Sequence, residues 1–452
     1  MTASSSTPTE PLAVPAGVRI GGRLRVPSSK SQTHRFLNLA LLSGAPLTVE
    51  RPLIAEDTLL FLAALRGAGW EVGERLDTLH LTPPPGRRQP QAPPLPRQPP
   101  PQEIEIFCGN AGTMLRFLVA SLSALPGRWR LDGVPRLRQR PVGPLVEALR
   151  RLGARIVYGG APGFVPLAIQ GGTLAGGATS IDAGESSQYL SALLMAALAA
   201  PAPVTVEVSA LTSAPYVEVT LAAAARFGGR IEPLAADGGG TPRGYRVWPS
   251  ELAAVSPLRV EGDASAACYP AAAAALTGGA VTLSGVPADS LQGDRRFFDL
   301  LAAMGAAVAW DSAEEVTVRG GELSAIECDL SGMPDQVPTL AALAPFARGV
   351  TRITNVAHLR IKESDRLAAM AGELRRLGVE VEEGPDYLRI AGVWHDREPP
   401  AEPVEVDPRG DHRIAMSLAL VGLRRPGVIV RNPEVVAKSY PDFWKDLLAL
   451  SS

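Results

Sequence analysis

Five times along this chain an amphipathic helical stretch stops on a glycine, and a short β-branched strand, a turn and a second strand follow. The glycines are Gly69, Gly153, Gly228, Gly305 and Gly378, spaced 84, 75, 77 and 73 residues apart. Each stands where a helix end needs positive φ, and the residues after it alternate as a half-buried strand requires. Second strands are expected at Val165–Ile169, Tyr245–Trp248, Val316–Arg319 and Tyr387–Ile390. A period near 75 in 452 residues implies six units of one supersecondary kind, most simply two halves of three. The longest spacing contains a proline-dense insertion, 83–102, read as an extended surface loop.

The sixth helix, Phe443–Leu450, runs out of chain before its strands. The N-terminal segment Val18–Val26 reads as a hairpin and is expected to supply them, so both termini fall in one domain. The chain then crosses between domains near Pro27–Ser29 and near Val255–Val260. The expected domains are 17–28 with 256–452, and 29–255; the Ser/Thr/Pro-rich residues 1–16 are expected to form a disordered tail.

Composition excludes several classes. Lys and Arg number 44 against 46 Asp and Glu, and aromatics are only 5%, so neither a nucleic-acid nor an acidic-membrane partner is indicated. Cys108, Cys268 and Cys328 are far apart and form no CxxC pair, which argues against a disulfide framework or structural zinc and for a reduced cytoplasm. The histidines lack metal-site spacing. The apolar runs at 191–200 and 271–276 are too short to span a bilayer.

The chemistry-bearing residues fall at helix starts. Ser28-Ser29-Lys30-Ser31 and Arg35 open the apolar helix Phe36–Leu42, an anion site by virtue of cation and helix terminus together. Gly109-Asn110-Ala111-Gly112-Thr113 links the strand Ile104–Phe107 to the helix Met114–Leu122; it lacks the lysine of a Walker loop. Arg136, Arg138 and Arg140 crowd the loop before Val142–Leu152. Glu185-Ser186-Ser187-Gln188 opens Tyr189–Ala200, Asp335 begins a helix that runs to Ala347, and Asp411-His412-Arg413 precedes Ile414–Leu420. Lys438 lies just ahead of the last helix.

In the run Lys362-Glu363-Ser364-Asp365-Arg366 the two cations stand four apart and share a face if the run is helical, with Asp365 as the ion-pairing neighbour that holds them. By itself the run is an ordinary charged helix start. Similar units packed side by side would gather Lys30, Arg35, Arg140, Lys362, Arg366, Arg413 and Lys438 along one cleft. Seven unpaired cations repel one another, so ligands of several negative charges are expected. Asp335 and Glu363 among them suit proton transfer better than metal binding.

At this level of detail the chain resembles the EPSP synthase family, the 3-phosphoshikimate 1-carboxyvinyltransferases, from about Gly17 to Asp442. The carriers are KSQTHR at 30–35, GNAGT at 109–113, RQRP at 138–141, SSQY at 186–189, SAPY at 213–216, GDAS at 262–265 and QGDRRF at 292–297. They continue with PD at 334–335, KESDR at 362–366, DHR at 411–413 and AKSYPDF at 437–443. The resemblance implies an α/β enolpyruvyl transferase fold: two inside-out α/β domains, each of three βαβαββ units, hinged about an interdomain active site. It implies a transferase that joins phosphoenolpyruvate to the 5-hydroxyl of shikimate 3-phosphate and releases phosphate, on the way to chorismate and the aromatic amino acids.

The same resemblance assigns roles. Lys30, Ser31, Arg35, Ser186, Ser187, Gln188, Ser213, Asp335, His358 and Lys362 would hold shikimate 3-phosphate. Lys30, Asn110, Gly112, Arg140, Gln188, Arg366, Arg413 and Lys438 would hold phosphoenolpyruvate. Asp335 would be the base, Glu363 the acid toward the methylene, and Lys30 the assistant at the ester oxygen. Charged hydrogen bonds contribute about 1.5–3 kcal/mol each, so losing one cation should cost roughly 10- to 100-fold. No cofactor or metal is implied, and the family expectation is a cytoplasmic monomer. His358 departs from the asparagine that many relatives carry toward the shikimate phosphate, and Phe117 from the proline of several. Gly112 is the small residue associated with sensitivity to glyphosate. The related UDP-N-acetylglucosamine enolpyruvyl transferases carry a reactive cysteine in the loop corresponding to 136–140, where none stands here. A non-catalytic anion-binding protein of the same fold would have no use for both Asp335 and Glu363.

Overall fold

The computed structural model describes residues 8–85, 102–235 and 242–451. All five marker glycines have positive φ, at 86°, 92°, 77°, 114° and 94° in chain order. Each ends its helix in a conformation that a Cβ would penalise, which is why glycine stands there.

Among the described residues the strands form five four-stranded sheets and one three-stranded sheet. The five share one order. In the sheet of 104–170, Ile104–Phe107 runs parallel to Arg128–Asp132, which pairs antiparallel with Leu167–Gln170, which pairs antiparallel with Arg155–Tyr158. The helix Gly112–Ala124 joins the parallel pair and Gly143–Arg151 leads into the hairpin, giving βαβαββ. A parallel pair cannot be closed by a tight turn, so a crossover helix is required in every unit.

The crossover helices are buried nearly all round. Every residue from Thr33 to Ser43, and from Met114 to Ala124, is buried, as is nearly all of Ser187–Ala197, Ala264–Thr277 and His412–Arg424. A helix apolar on all sides belongs inside a domain, with the sheets outside it. Each of two compact units has its own apolar core built around three such helices.

One unit comprises Lys30–Val260; the other comprises the described residues up to Ser29 and from Glu261 onward. The sequence reading placed the second boundary after 255. It falls later because Leu258–Arg259 pairs parallel with Val49–Glu50 and completes the first sheet of the Lys30–Val260 unit.

Three expectations are corrected. Val18–Val26 is not a hairpin of the sixth unit: Gly21–Arg25 runs parallel to Ala280–Ser284 as the first strand of the fourth sheet. The two chain crossings thus exchange first strands, since a strand in one unit leads straight into the crossover helix of the other. The tail is not irregular throughout: residues 1–7 lie outside the described residues, but Leu12–Ala13 forms a strand antiparallel to Val428–Val430, and Val14 is buried. Three successive apolar residues have surface to hide, and they take the position that the last hairpin strand occupies elsewhere. The helix expected from Asp335 to Ala347 is broken into Pro334–Gln336, Val337–Leu343 and Ala344–Phe346, with a proline at each start. Of the proline-dense insertion, 86–101 lies outside the described residues.

The N-terminal strand closes against Gly422, where an added Cβ would lie 2.6 Å from the Cβ of Val14. Gly422→Ala should therefore dislodge the strand and open the chain near residues 8–16 to limited proteolysis, leaving the rest of the fold intact. Unchanged protection of that segment would contradict the packing described.

Candidate active site

The buried crossover helices leave only their ends for polar chemistry, and the candidate residues lie at those ends or at the starts of the helices and turns that follow. Within Lys30–Val260, Lys30 and Ser31 form the first turn of Lys30–Ser43. The ammonium of Lys30 pairs with Asp57 Oδ2 at 3.1 Å, and Asp57 sits buried in the first turn of Glu56–Gly67. Arg35, one turn on, is buried among the helices. Its Nε donates to Thr220 Oγ1 (2.8 Å), one Nη to Ser31 Oγ (2.5 Å) and carbonyl (2.9 Å), and the other Nη to the Tyr216 carbonyl (2.8 Å). It lies 5.4 Å from the centre of the Phe117 ring. Burial lowers its pKa to about 10, which still leaves it charged at neutral pH.

A second cluster joins three helix starts. Arg140 Nη1 donates to the Asn110 carbonyl at 3.0 Å. A Cβ on Gly112 would lie 2.6 Å from the Arg140 Cζ, so the guanidinium rests flush on the glycine and nothing larger fits. Arg116 donates to Gln188 Oε1 (2.7 Å) and the Pro141 carbonyl (3.1 Å), lies 5.0 Å from the centre of the Tyr189 ring, and Gln188 Nε2 reaches Thr113 Oγ1 at 2.9 Å. Ser186 caps Ser187–Ala197, its hydroxyl accepting from Gln188 N. Ser213, buried, holds a left-handed φ of 53° directly ahead of Pro215–Arg226. A non-glycine residue held at such a φ is uncommon outside turns and ligand sites.

The other unit carries the acids. Arg366, with 2% of its side chain exposed, binds three carboxylates: Asp411 Oδ2 at 2.8 Å, Asp335 Oδ1 at 2.8 Å and Glu363 Oε2 at 2.9 Å. Arg413 takes the other Asp335 oxygen at 2.6 Å and reaches the Tyr269 hydroxyl at 3.4 Å. Asp411 is fully buried, caps His412–Arg424 through Arg413 N (3.0 Å) and accepts from Ser364 Oγ (3.0 Å). Burial alone would raise the pKa of Asp335, but Arg413, Arg366 and Lys362 outweigh it and hold the carboxyl well below the usual range. Burial would likewise lower that of Arg366, yet Asp411, Glu363 and Asp335 hold it above normal. His358, buried in the turn Ala357–Ile361, falls to about 3 through burial and the charge of Lys362, so its imidazole is neutral across the physiological range.

A family model described as EPSP synthase (3-phosphoshikimate 1-carboxyvinyltransferase) matches residues 14–447. The chain belongs to the EPSP synthase family. It is 44% identical over 438 residues to the 3-phosphoshikimate 1-carboxyvinyltransferase of Syntrophobacter fumaroxidans, covering 96% of this chain and 98% of that one. To the Nitrosomonas europaea protein of the same name it is 40% identical over 449 residues, with 97% and 98% covered. The crystal structure of EPSP synthase from Acinetobacter baumannii matches with a TM-score of 0.77 at 26% identity over 98% of each chain. The enolpyruvyl transferase NikO from Streptomyces tendae, at 21% identity and a TM-score of 0.75, shares the fold. The architecture is that of the enolpyruvyl transferases.

The structure differs from the sequence reading at the run that ends in Arg366. The helix begins at Arg366 and Asp365 caps it, accepting from Ala368 N at 3.0 Å. Lys362 therefore precedes the helix and does not share a face with Arg366. Asp365 pairs with Arg360 at 2.9 Å, and the group that holds Arg366 is Asp411. The cations are also not left to repel each other, since Lys30, Arg366 and Arg413 each have a carboxylate partner. Lys438 is buried at the end of Pro433–Lys438. Sequence reasoning passed over Arg116, Asp57 and Tyr269, and met Asp294 only within the motif at 292–297, without a role. Arg116 was findable: it is the only charged residue in the apolar helix Gly112–Ala124.

Removing Arg366 leaves buried carboxylates without their shared cation. Breaking a buried pair costs about 3–5 kcal/mol, so Arg366→Ala should lower the stability to urea by that order. Arg366→Lys restores the charge without the planar fork and should recover only part of the loss.

Proposed function

We propose that this chain transfers the enolpyruvyl group of phosphoenolpyruvate to the 5-hydroxyl of shikimate 3-phosphate, releasing phosphate. The observation that carries this reading is the ion cluster in which Asp335 lies against both Arg366 and Arg413, with Glu363 on the same arginine. Family membership over 14–447 supports the choice of substrates.

The reaction needs a proton delivered to the enol methylene while the hydroxyl attacks C2. It then needs phosphate to leave C2 as the new methyl group gives a proton back. Asp335 takes the hydroxyl proton and passes it to the departing phosphate, where Lys30 assists at the ester oxygen; the freed carboxylate then takes the methyl proton, which returns through solvent to Glu363, the donor to the methylene. Asp335 by itself is a weak base, because two guanidinium groups stabilise its anion. A phosphate and carboxylate arriving on Arg366 and Arg413 share that positive charge, and the basicity of Asp335 rises as the substrate binds. Arg140, Asn110, Gly112, Gln188 and Lys438 complete the phosphoenolpyruvate set and stabilise the departing phosphate. Ser186, Ser187 and Ser213, with Lys30, Ser31, Arg35, His358 and Lys362, receive shikimate 3-phosphate. The helix starts at Ser187 and Pro215 favour anions there. His358, being neutral, can give the phosphate one hydrogen bond but no charge.

The protein is proposed as a cytoplasmic monomer; its three cysteines are free, and no helix among the described residues is long and apolar enough to cross a membrane.

Phosphate release in the presence of both substrates tests the assignment, and no release from the intact protein would sink it. Asp335→Asn should lower kcat by about 10²- to 10⁴-fold, the usual contribution of a positioned acid or base. Glyphosate should compete with phosphoenolpyruvate. Gly112→Ala should weaken both, because its methyl group displaces the Arg140 guanidinium. A rise in KM for phosphoenolpyruvate of about tenfold or more, with kcat much less affected, is expected from one disturbed charged contact. Equal affinity in the variant would contradict the packing of Gly112 on Arg140.

A further inference from the structure

A second buried carboxylate lies behind Asp335 and has no part in the steps above. Asp294 sits in the turn Gly293–Arg296, almost wholly buried. Its Oδ2 accepts a hydrogen bond from Ser265 Oγ and another from Gln336 Nε2 at 3.2 Å. Gln336 is the residue next to Asp335, is fully buried, and is pinned at its other end by Thr339 Oγ1, which donates to Gln336 Oε1 at 3.1 Å. Asp294 is therefore one hydrogen-bonded residue away from Asp335 and feels the charge of Arg413, the same guanidinium that Asp335 binds.

We propose that Asp294 is a positioning residue for Asp335, fixing through Gln336 the turn that carries it and adding a second negative charge to the surroundings of Arg413. The proposal rests on the reading of Asp335 as the base.

The surroundings bear on how this carboxyl titrates. Ser265 faces it from Ala264–Thr277, which Asp263 caps and from which Cys268 Sγ reaches the Asp294 backbone carbonyl; Gln336 and Asp335 face it from the turn before Val337–Leu343, and Arg413 from His412–Arg424. Arg295 on its own turn is engaged by Asp299. Burial, then the charge of Asp335, push Asp294 up to about 6, while Arg413 and the two hydrogen bonds pull the other way. Above that pH the ionised Asp294 offsets part of the positive field on Asp335 and makes it a better base. Below it, protonation removes the offset, and kcat should fall. The stability sign is opposite: a raised folded pKa contributes stability that is full below the ordinary carboxylate range and is lost as pH rises through about 6. Asp294→Asn should therefore melt no lower than the parent at pH 7.

The test compares the intact protein, Asp294→Asn, Ser265→Ala and Asp335→Asn. The parent's kcat/KM should decline below about pH 6, and at saturating substrates the decline in kcat should begin higher, since a bound anion weakens the pull of Arg413 on Asp294. Asp294→Asn should be about tenfold slower at pH 8, the scale of one lost charge-assisted interaction, and should lack that decline. Ser265→Ala keeps the carboxylate and removes one donor, so its decline should move to higher pH. The second ionisations of the substrate phosphates fall in the same range, so the readout is the difference between variants. Independently of turnover, carboxyl ¹³C NMR of aspartate-labelled protein should show a titration near pH 6 that is absent in Asp294→Asn and moves to lower pH in Asp335→Asn. If the parent and Asp335→Asn behave as proposed while Asp294→Asn keeps the parent's kcat and pH profile, the Asp294 role is overturned and the function stands. An NMR titration unmoved in Asp335→Asn overturns it as well. A parent that releases no phosphate sinks the function instead, and the NMR result still decides whether the two carboxylates act on each other.

Discussion

Everything chemical in this protein follows from the burial of the crossover helices. A helix buried on every side can hide apolar side chains along its length, but its first backbone N–H groups still need acceptors. Those ends have to be met by polar residues, and the sequence meets them with Ser186, Asp263 and Asp411 as caps. The positive end of each helix dipole draws anionic groups, whether side chains or ligands, to the same places. Repeating one unit therefore repeats a polar helix start, where lysine, arginine and serine can be added without disturbing the core. The marker glycines lie at the far ends of the hairpin-leading helices and serve only the fold.

The second consequence is electrostatic. Placing Arg366 in a dry interior costs several kcal/mol unless partners compensate, and three carboxylates do so. Asp411 and Glu363 between them would suffice to neutralise one guanidinium, so the attachment of Asp335 is the exchangeable one. It is also the carboxylate shared with Arg413. On the proposed assignment of substrates, an incoming dianion would compete with Asp335 for both arginines while Asp411 keeps Arg366 in place. The buried cap would thus keep the cation fixed as its proposed catalytic partner is drawn away.

What could be read in the sequence divides along physical lines. The repeat, the glycine stops and the second strands were legible because each depends on local rules of periodicity and backbone conformation. The helix starts carrying Lys30, Gly112, Arg140, Ser186, Asp335, Arg366 and Arg413 were legible as places. Which partner each would take was not, because partners come from units far apart in sequence: Arg366 with Asp411, Arg35 with Thr220, Arg116 with Gln188. Asp365 was misassigned for a related reason, since a cap and an ion-pair partner look identical until the helix boundary is known. The strand at Leu12–Ala13 was hidden by its polar, proline-rich surroundings; two residues are too short for alternation to show.

The two units also divide the chemistry by type. The Lys30–Val260 unit presents cations, hydroxyls and an amide, with Asp57 as the carboxylate paired to Lys30. The other presents Asp335, Glu363, Asp411 and Asp294 around two arginines. Holding a phosphorylated hydroxy acid needs donors that do not titrate near neutral pH, and serine, glutamine and arginine meet that need. Moving protons needs groups whose basicity responds to their neighbours, which only an interacting cluster of buried acids supplies. Six copies of one unit could have carried the same residues at every helix start. They do not. On the proposed assignment, a carboxylate facing the phosphate needs a cation of its own, as Asp57 has in Lys30, and a serine in place of Asp335 could not take up a proton at neutral pH.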